Sequence, residues 1–124
     1  MARILVVDDE VQIRILLLEL LQQEGYDVED APDGKVALEI LREKPVDLVI
    51  TDLIMPNKEG IETIRELHRD FPDLKIIAIS GGGRLGPDTY LKMAEGMGAV
   101  RTFKKPIPHD KLLGAVQELL HEET

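Results

Sequence analysis

Five short β-type runs alternate with five helix-type segments along this chain, and that alternation leaves few folds open. The runs are RILVV (3–7), DVEDA (27–31), DLVIT (47–51), KIIAI (75–79) and VRTF (100–103); the helical segments fall at about 10–24, 33–43, 58–70, 87–97 and 109–121. Serial βα units imply a parallel sheet, because each parallel connection needs a crossover, and the crossover helices cover both faces. The runs at 3–7, 47–51 and 75–79 are apolar almost throughout, as strands covered on both sides must be. Those at 27–31 and 100–103 are more polar and are expected at or near the edges. Asp33 suits the cap of the second helix, and Gly25 and Gly98 suit the ends of the first and fourth. The 124 residues suit a single domain over 1–124 with one core, and no linker or low-complexity tract divides them.

Composition removes several function classes. The net charge of −9 argues against a nucleic-acid surface, which needs a basic face. Without cysteine there is no disulfide framework, thiolate metal site or thiol nucleophile. The opening MARILVVDDE has an apolar run that stops at two acids, unlike a secretory signal, and no stretch of about 18 apolar residues exists to span a membrane. The expected location is the cytoplasm.

In open α/β sheets, sites form beyond the carboxyl ends of the strands, near the switch in strand order. The residues there are Asp8 and Asp9 after the first strand, Asp52 after the third, Ser80 after the fourth, and Lys104 and Lys105 followed by Pro106 after the fifth. Crowded carboxylates raise one another's pKa values. A hard divalent cation resolves the conflict: Mg²⁺ takes oxygen ligands and suits one or two carboxylates plus a phosphate oxygen. With a lysine amine and a serine hydroxyl pointing at the same place, the set can neutralise a phosphoryl group in transfer, and one carboxylate can act as the nucleophile. Taken singly, each residue has a plainer reading. An Asp can be a turn residue, Ser80 can bond its own backbone, and a lysine before proline can be a solvated loop charge. Their joint placement at matching strand ends carries the argument.

The segment AISGGGRLGPD (78–88) also fits G-x-G-x-x-G at Gly81, Gly83 and Gly86. A dinucleotide turn needs an acid about 20 residues on, and this region reads TFKKPIP instead. The glycines are expected to give a mobile loop that lets the Ser80 hydroxyl move towards a phosphate.

Together ILVVDDE, DLVITDLIMPNKEGIE, IIAISG and GAVRTFKKP, in this order and spacing, resemble a response-regulator receiver domain over essentially the whole chain. The resemblance implies a flavodoxin-like (βα)5 doubly wound parallel sheet of five strands in the order 2-1-3-4-5, one of the orders for which the switch-point rule is stated. It implies Asp52 as phosphoacceptor, Asp9 as a direct Mg²⁺ ligand, Asp8 acting mostly through water on the ion, and the backbone carbonyl of Ile54 as a further ligand. Ser80 would bond the phosphoryl group. Lys105, which precedes proline as in the family, would pair with Asp52 and then with its phosphate. Pro106 would follow through a cis bond. The implied partners are a sensor histidine kinase or histidine phosphotransfer protein as donor and a downstream protein target. With no output domain visible, the chain would signal or relay phosphate through a switch on the side of the fourth helix, fifth strand and fifth helix.

The chain departs from the pattern of the family it resembles at several places. Three positions before the lysine the family usually has an aromatic residue; here Thr102 stands there, and Phe103 should lie on the opposite strand face. Switching is therefore expected mainly through the 80–90 loop and the fourth helix. Ile54 and Gly82, two positions after Asp52 and Ser80, cannot orient an attacking water. Ile54 also stands where a haloacid-dehalogenase-like phosphatase would carry its second acid, which speaks against that enzyme. A phosphorylation-independent binding module is the other alternative. The first helix carries two apolar stripes: Ile13, Leu16, Leu17, Leu20 and Leu21 for the core, and Val11, Ile15 and Leu18, partly exposed, as a docking face for a helical phosphodonor. His68, His109 and His121 share no motif and read as surface residues.

Overall fold

A computed structural model describes residues 2–53, 60–81 and 86–121 of the chain. Its elements run β1 (Arg3–Val7), α1 (Val11–Gln23), β2 (Asp27–Ala31), α2 (Gly34–Glu43), β3 (Leu48–Asp52), α3 (Gly60–Asp70), β4 (Lys75–Ser80), α4 (Pro87–Met97), β5 (Arg101–Lys104) and α5 (His109–His121). The five strands form one parallel sheet in the order β2-β1-β3-β4-β5, so the two polar strands are its edges as expected. β3 and β4 each run one residue further than their apolar runs suggest, to Asp52 and Ser80. The ladder continues beyond the apolar stretch: Leu53 N–H still bonds the Ile79 carbonyl at 3.0 Å.

The period of two in the strands divides the core between the two faces of the sheet. Leu5, Val7, Val49, Ile76 and Ala78 pack with residues of α2, α3 and α4. Ile4, Val6, Leu48, Ile50, Ile77 and Ile79 pack with α1 and α5. The expected single core is therefore two clusters separated by the sheet. Helix ends follow the sequence signals. The Asp33 carboxylate accepts from Val36 N–H at 2.9 Å, capping α2, and Gly98 ends α4 with a φ of 124°, a conformation that favours glycine.

The stripes of α1 separate less cleanly than expected. Leu17 and Leu21 are fully buried, but Leu18 joins Ile13 and Leu20 as a partly buried residue packed on the same cluster. Only Val11 and Ile15 of the smaller stripe stay outside, 56% and 51% exposed. Among the described residues no helix is long and apolar enough to cross a membrane.

Candidate functional site

Strand register builds the site. Val7 is level with Thr51, so the next residues, Asp8 and Asp52, stand side by side. Asp52 is level with Ile79, and Ser80 with Lys104, so each residue after a strand arrives at the same edge. The ladders extend one step into the loops: Asp8 N–H bonds the Ala31 carbonyl at 3.2 Å and Lys105 N–H bonds the Ser80 carbonyl at 3.0 Å. Parallel strands with short extensions thus bring Asp8, Asp9, Asp52, Ser80 and Lys105 to one end of the sheet.

Alternation decides between the two lysines. Lys104 shares the face of Thr102 and reaches α4, where its ammonium lies 2.6 Å from Asp88. Lys105 takes the other direction, and a cis peptide bond joins it to Pro106. Its Nζ lies 3.2 Å from Asp52 Oδ2, 3.1 Å from Asp8 Oδ2 and 3.1 Å from Glu10 Oε1. Phe103 packs on the α1–α5 cluster, the face opposite Thr102.

These charges sit in little water. Asp8 is 1% exposed, Asp52 4% and Ser80 0%. Burial raises the Asp8 carboxyl from 3.8 to about 6; the Glu10 N–H bond and Lys105 oppose this, and the Asp52 charge adds to it. Burial pushes the Lys105 ammonium down, but Asp52 and Asp8 outweigh that and its pKa rises. Lysine is therefore fully cationic at the site.

At the site Ser80 Oγ is buried with no hydrogen-bond partner among the described residues, and the buried Asp8 Oδ2 faces only the Lys105 ammonium, at 3.1 Å. Such atoms are costly unless something satisfies them. Asp8, Asp9, Glu10 and Asp52 each offer one oxygen, and the four atoms lie within 4.8 Å of one another. An all-oxygen donor set with surplus negative charge fits a hard divalent cation. The expected Ile54 carbonyl ligand, and Gly82 and Gly83 of the glycine loop, lie outside the described residues.

Two contributors were not anticipated. Glu10 is the N-cap residue of α1, yet its side chain makes no cap hydrogen bond; it holds Lys105 instead. The third acid of DDE was the available signal. Gly81 provides space: a Cβ there would stand 2.7 Å from Lys105 Cβ and 2.9 Å from its Cδ. The expectation of a mobile glycine loop did not include that steric role.

Residues 4–117 match the family described as the response regulator receiver domain. Sporulation initiation phosphotransferase F of Bacillus subtilis is 33% identical over 118 residues, covering 95% of this chain and 93% of that protein. A CheY-like receiver domain protein from Methanospirillum hungatei superposes with a TM-score of 0.90 at 30% identity, covering 98% and 95% of the two chains. The response regulator TrrA of Thermotoga maritima, in complex with Mg²⁺ and BeF, superposes with a TM-score of 0.82 at 37% identity, covering 96% and 99%.

Proposed function

Because the chain belongs to the response regulator receiver family, we propose that Asp52 is its phosphoacceptor and that Ser80 and Lys105 bind the transferred group. The protein is a receiver domain of two-component systems, a phosphoacceptor that signals rather than a turnover enzyme. Receiver domains take phosphate from sensor histidine kinases or phosphotransfer proteins, and such a donor is the proposed partner here.

The observation that carries the assignment is the ammonium of Lys105 at 3.2 Å from a buried Asp52 oxygen, beside a buried Ser80 hydroxyl with no partner among the described residues. An Asp52 oxygen forms the bond to phosphorus as the bond to the donor nitrogen breaks. Lys105 moves its donors to an equatorial phosphoryl oxygen, and Ser80 donates to another. Asp9 is the proposed direct Mg²⁺ ligand, with Asp52 and the Ile54 carbonyl, and Asp8 acts largely through water. Bound Mg²⁺ would neutralise the carboxylates and a phosphoryl oxygen. Burial of Asp8 and Asp52 keeps bulk water from screening these charges.

The direct test is intact mass after incubation with acetyl phosphate and Mg²⁺. One phosphate adduct is expected, absent without Mg²⁺ and absent in Asp52→Asn. An unchanged adduct in the variant would remove Asp52 from this role. No adduct, with beryllofluoride also failing to bind, would favour a phosphorylation-independent module.

A further inference from the structure

Arg14 sits one turn inside the positive end of α1, where a cation is electrostatically disfavoured. Its side chain is only 14% exposed. Two contacts account for the placement. Nη1 donates to the Asp8 backbone carbonyl at 2.6 Å, and Nε donates to Asp30 Oδ2 at 2.9 Å. The guanidinium thus joins α1, the loop after β1 and the end of β2.

The carbonyl it holds belongs to the Asp8–Asp9 peptide. A peptide unit is planar, so fixing that oxygen fixes the N–H and Cα of Asp9 as well. Asp8 is already held on its other side, through its N–H to Ala31 and its Oδ1 to Glu10 N–H at 2.9 Å. Asp9 is exposed, and no side-chain hydrogen bond orients its carboxylate among the described residues. Its direction depends on the backbone, and Arg14 sets that backbone.

We infer that Arg14, itself anchored by Asp30, is a positioning residue that fixes the Asp8–Asp9 peptide plane and so aims both acids at a divalent cation. The inference rests on the Mg²⁺ site proposed above. Supporting groups of this kind act on a metal through its ligands, and their loss commonly weakens affinity about tenfold or more.

The sign of the effect separates positioning from charge. Arg14 is a cation close to the site, so removing it would tighten Mg²⁺ binding if Coulomb repulsion alone mattered. Positioning predicts the reverse. Mg²⁺ alone would be titrated into full-length wild type, Arg14→Met, Arg14→Lys and Asp30→Asn, following amide shifts, with thermal unfolding in EDTA measured alongside. Arg14→Met should weaken Mg²⁺ about tenfold. Arg14→Lys keeps the charge but cannot span both acceptors, and should also weaken it. Asp30→Asn, at an exposed edge residue, should weaken it less while remaining folded. Mg²⁺ affinities within twofold of wild type in Arg14→Lys and Asp30→Asn, or tighter in Arg14→Met, would overturn the inference whatever happens to Tm. If wild type itself shows no Mg²⁺-dependent shifts, the metal site fails, and the inference with it.

Discussion

The Thr102 hydroxyl donates to Glu95 Oε1 at 3.2 Å, tying β5 to α4 at the position where receivers usually carry an aromatic residue. A ring can turn inward to fill a pocket, whereas threonine can only make or break a polar bond. Beside it the Lys104–Asp88 pair makes a second β5–α4 link, between two well-exposed side chains. Solvated links of this kind are worth little each, about 1 kcal/mol or less, so a modest rearrangement at the proposed phosphoryl site can exchange them.

Thr102→Val should therefore cost no more than about 1 kcal/mol in urea unfolding. Its larger effect should be on communication. In wild type, beryllofluoride with Mg²⁺ should shift amides of residues 86–97 and 101–104, and the α4 shifts should already be partly present in the variant before ligand is added. Ligand shifts confined to the surroundings of Asp52 would end the idea of a β5–α4 switch.

Gly81 supports a prediction about space. The first atom of any side chain there would collide with the Lys105 stem at 2.7 Å, close to the backbone, where the lysine has little freedom to yield. Gly81→Ala should cost about 1–3 kcal/mol through overpacking and displace the ammonium from Asp52. Losing a charge-assisted bond worth about 1.5–3 kcal/mol would weaken beryllofluoride binding at least roughly tenfold. Calorimetric titration in excess Mg²⁺ measures this. Unchanged affinity would mean that the Lys105 stem relaxes without moving its ammonium.

Asp8 gives the chain a pH dependence of definite sign. Its carboxyl rises from 3.8 to about 6 on folding because it is buried beside Asp52. Between those values the native state holds a proton that the unfolded chain has released. Stability in metal-free buffer should then fall as pH rises through this window. At ~1.4 kcal/mol for each pKa step, the rise corresponds to about 3 kcal/mol as an upper figure. Asp8→Asn should stabilise the metal-free protein at pH 7 and have little effect near pH 4, as followed by Tm. Mg²⁺ should stabilise wild type more than the variant, with an affinity that weakens as pH falls through 6. A variant less stable than wild type at pH 7 would show that Asp8 contributes more to holding Lys105 than its burial costs.

The sequence made the fold readable because its levels agree. Apolar runs give the strands, their polarity separates centre from edge, and Asp33, Gly25 and Gly98 punctuate the helices. The strand ends then gave Asp8, Asp9, Asp52, Ser80 and the lysine pair directly. What stayed hidden depends on reach between elements. Glu10 becomes a partner of Lys105 only when a chain separation of 95 residues closes. Gly81 acts through an atom it lacks, and Arg14 acts through a backbone carbonyl, which has no sequence signature. Leu18 stands at the border of the two α1 stripes, partly buried against the α1–α5 cluster, because adjacent helical stripes overlap there and only packing settles which neighbour a border residue joins.

The last prediction concerns what approaches Asp52. Val11 and Ile15 are one turn apart on α1 and both more than half exposed, on the helix that begins immediately after the acidic loop. A helical phosphodonor could lay an apolar ridge on them while presenting its histidine to Asp52. Among the described residues Ile15 packs into neither core cluster, so a charge there should leave the fold intact. Ile15→Glu should slow phosphotransfer from a cognate protein donor by about tenfold, the loss of roughly 1.4 kcal/mol expected for one apolar anchor. Labelling by acetyl phosphate should be unchanged, because a small donor needs only the strand-end groups. Equal slowing with both donors would place the effect at the site itself and remove α1 as the docking face.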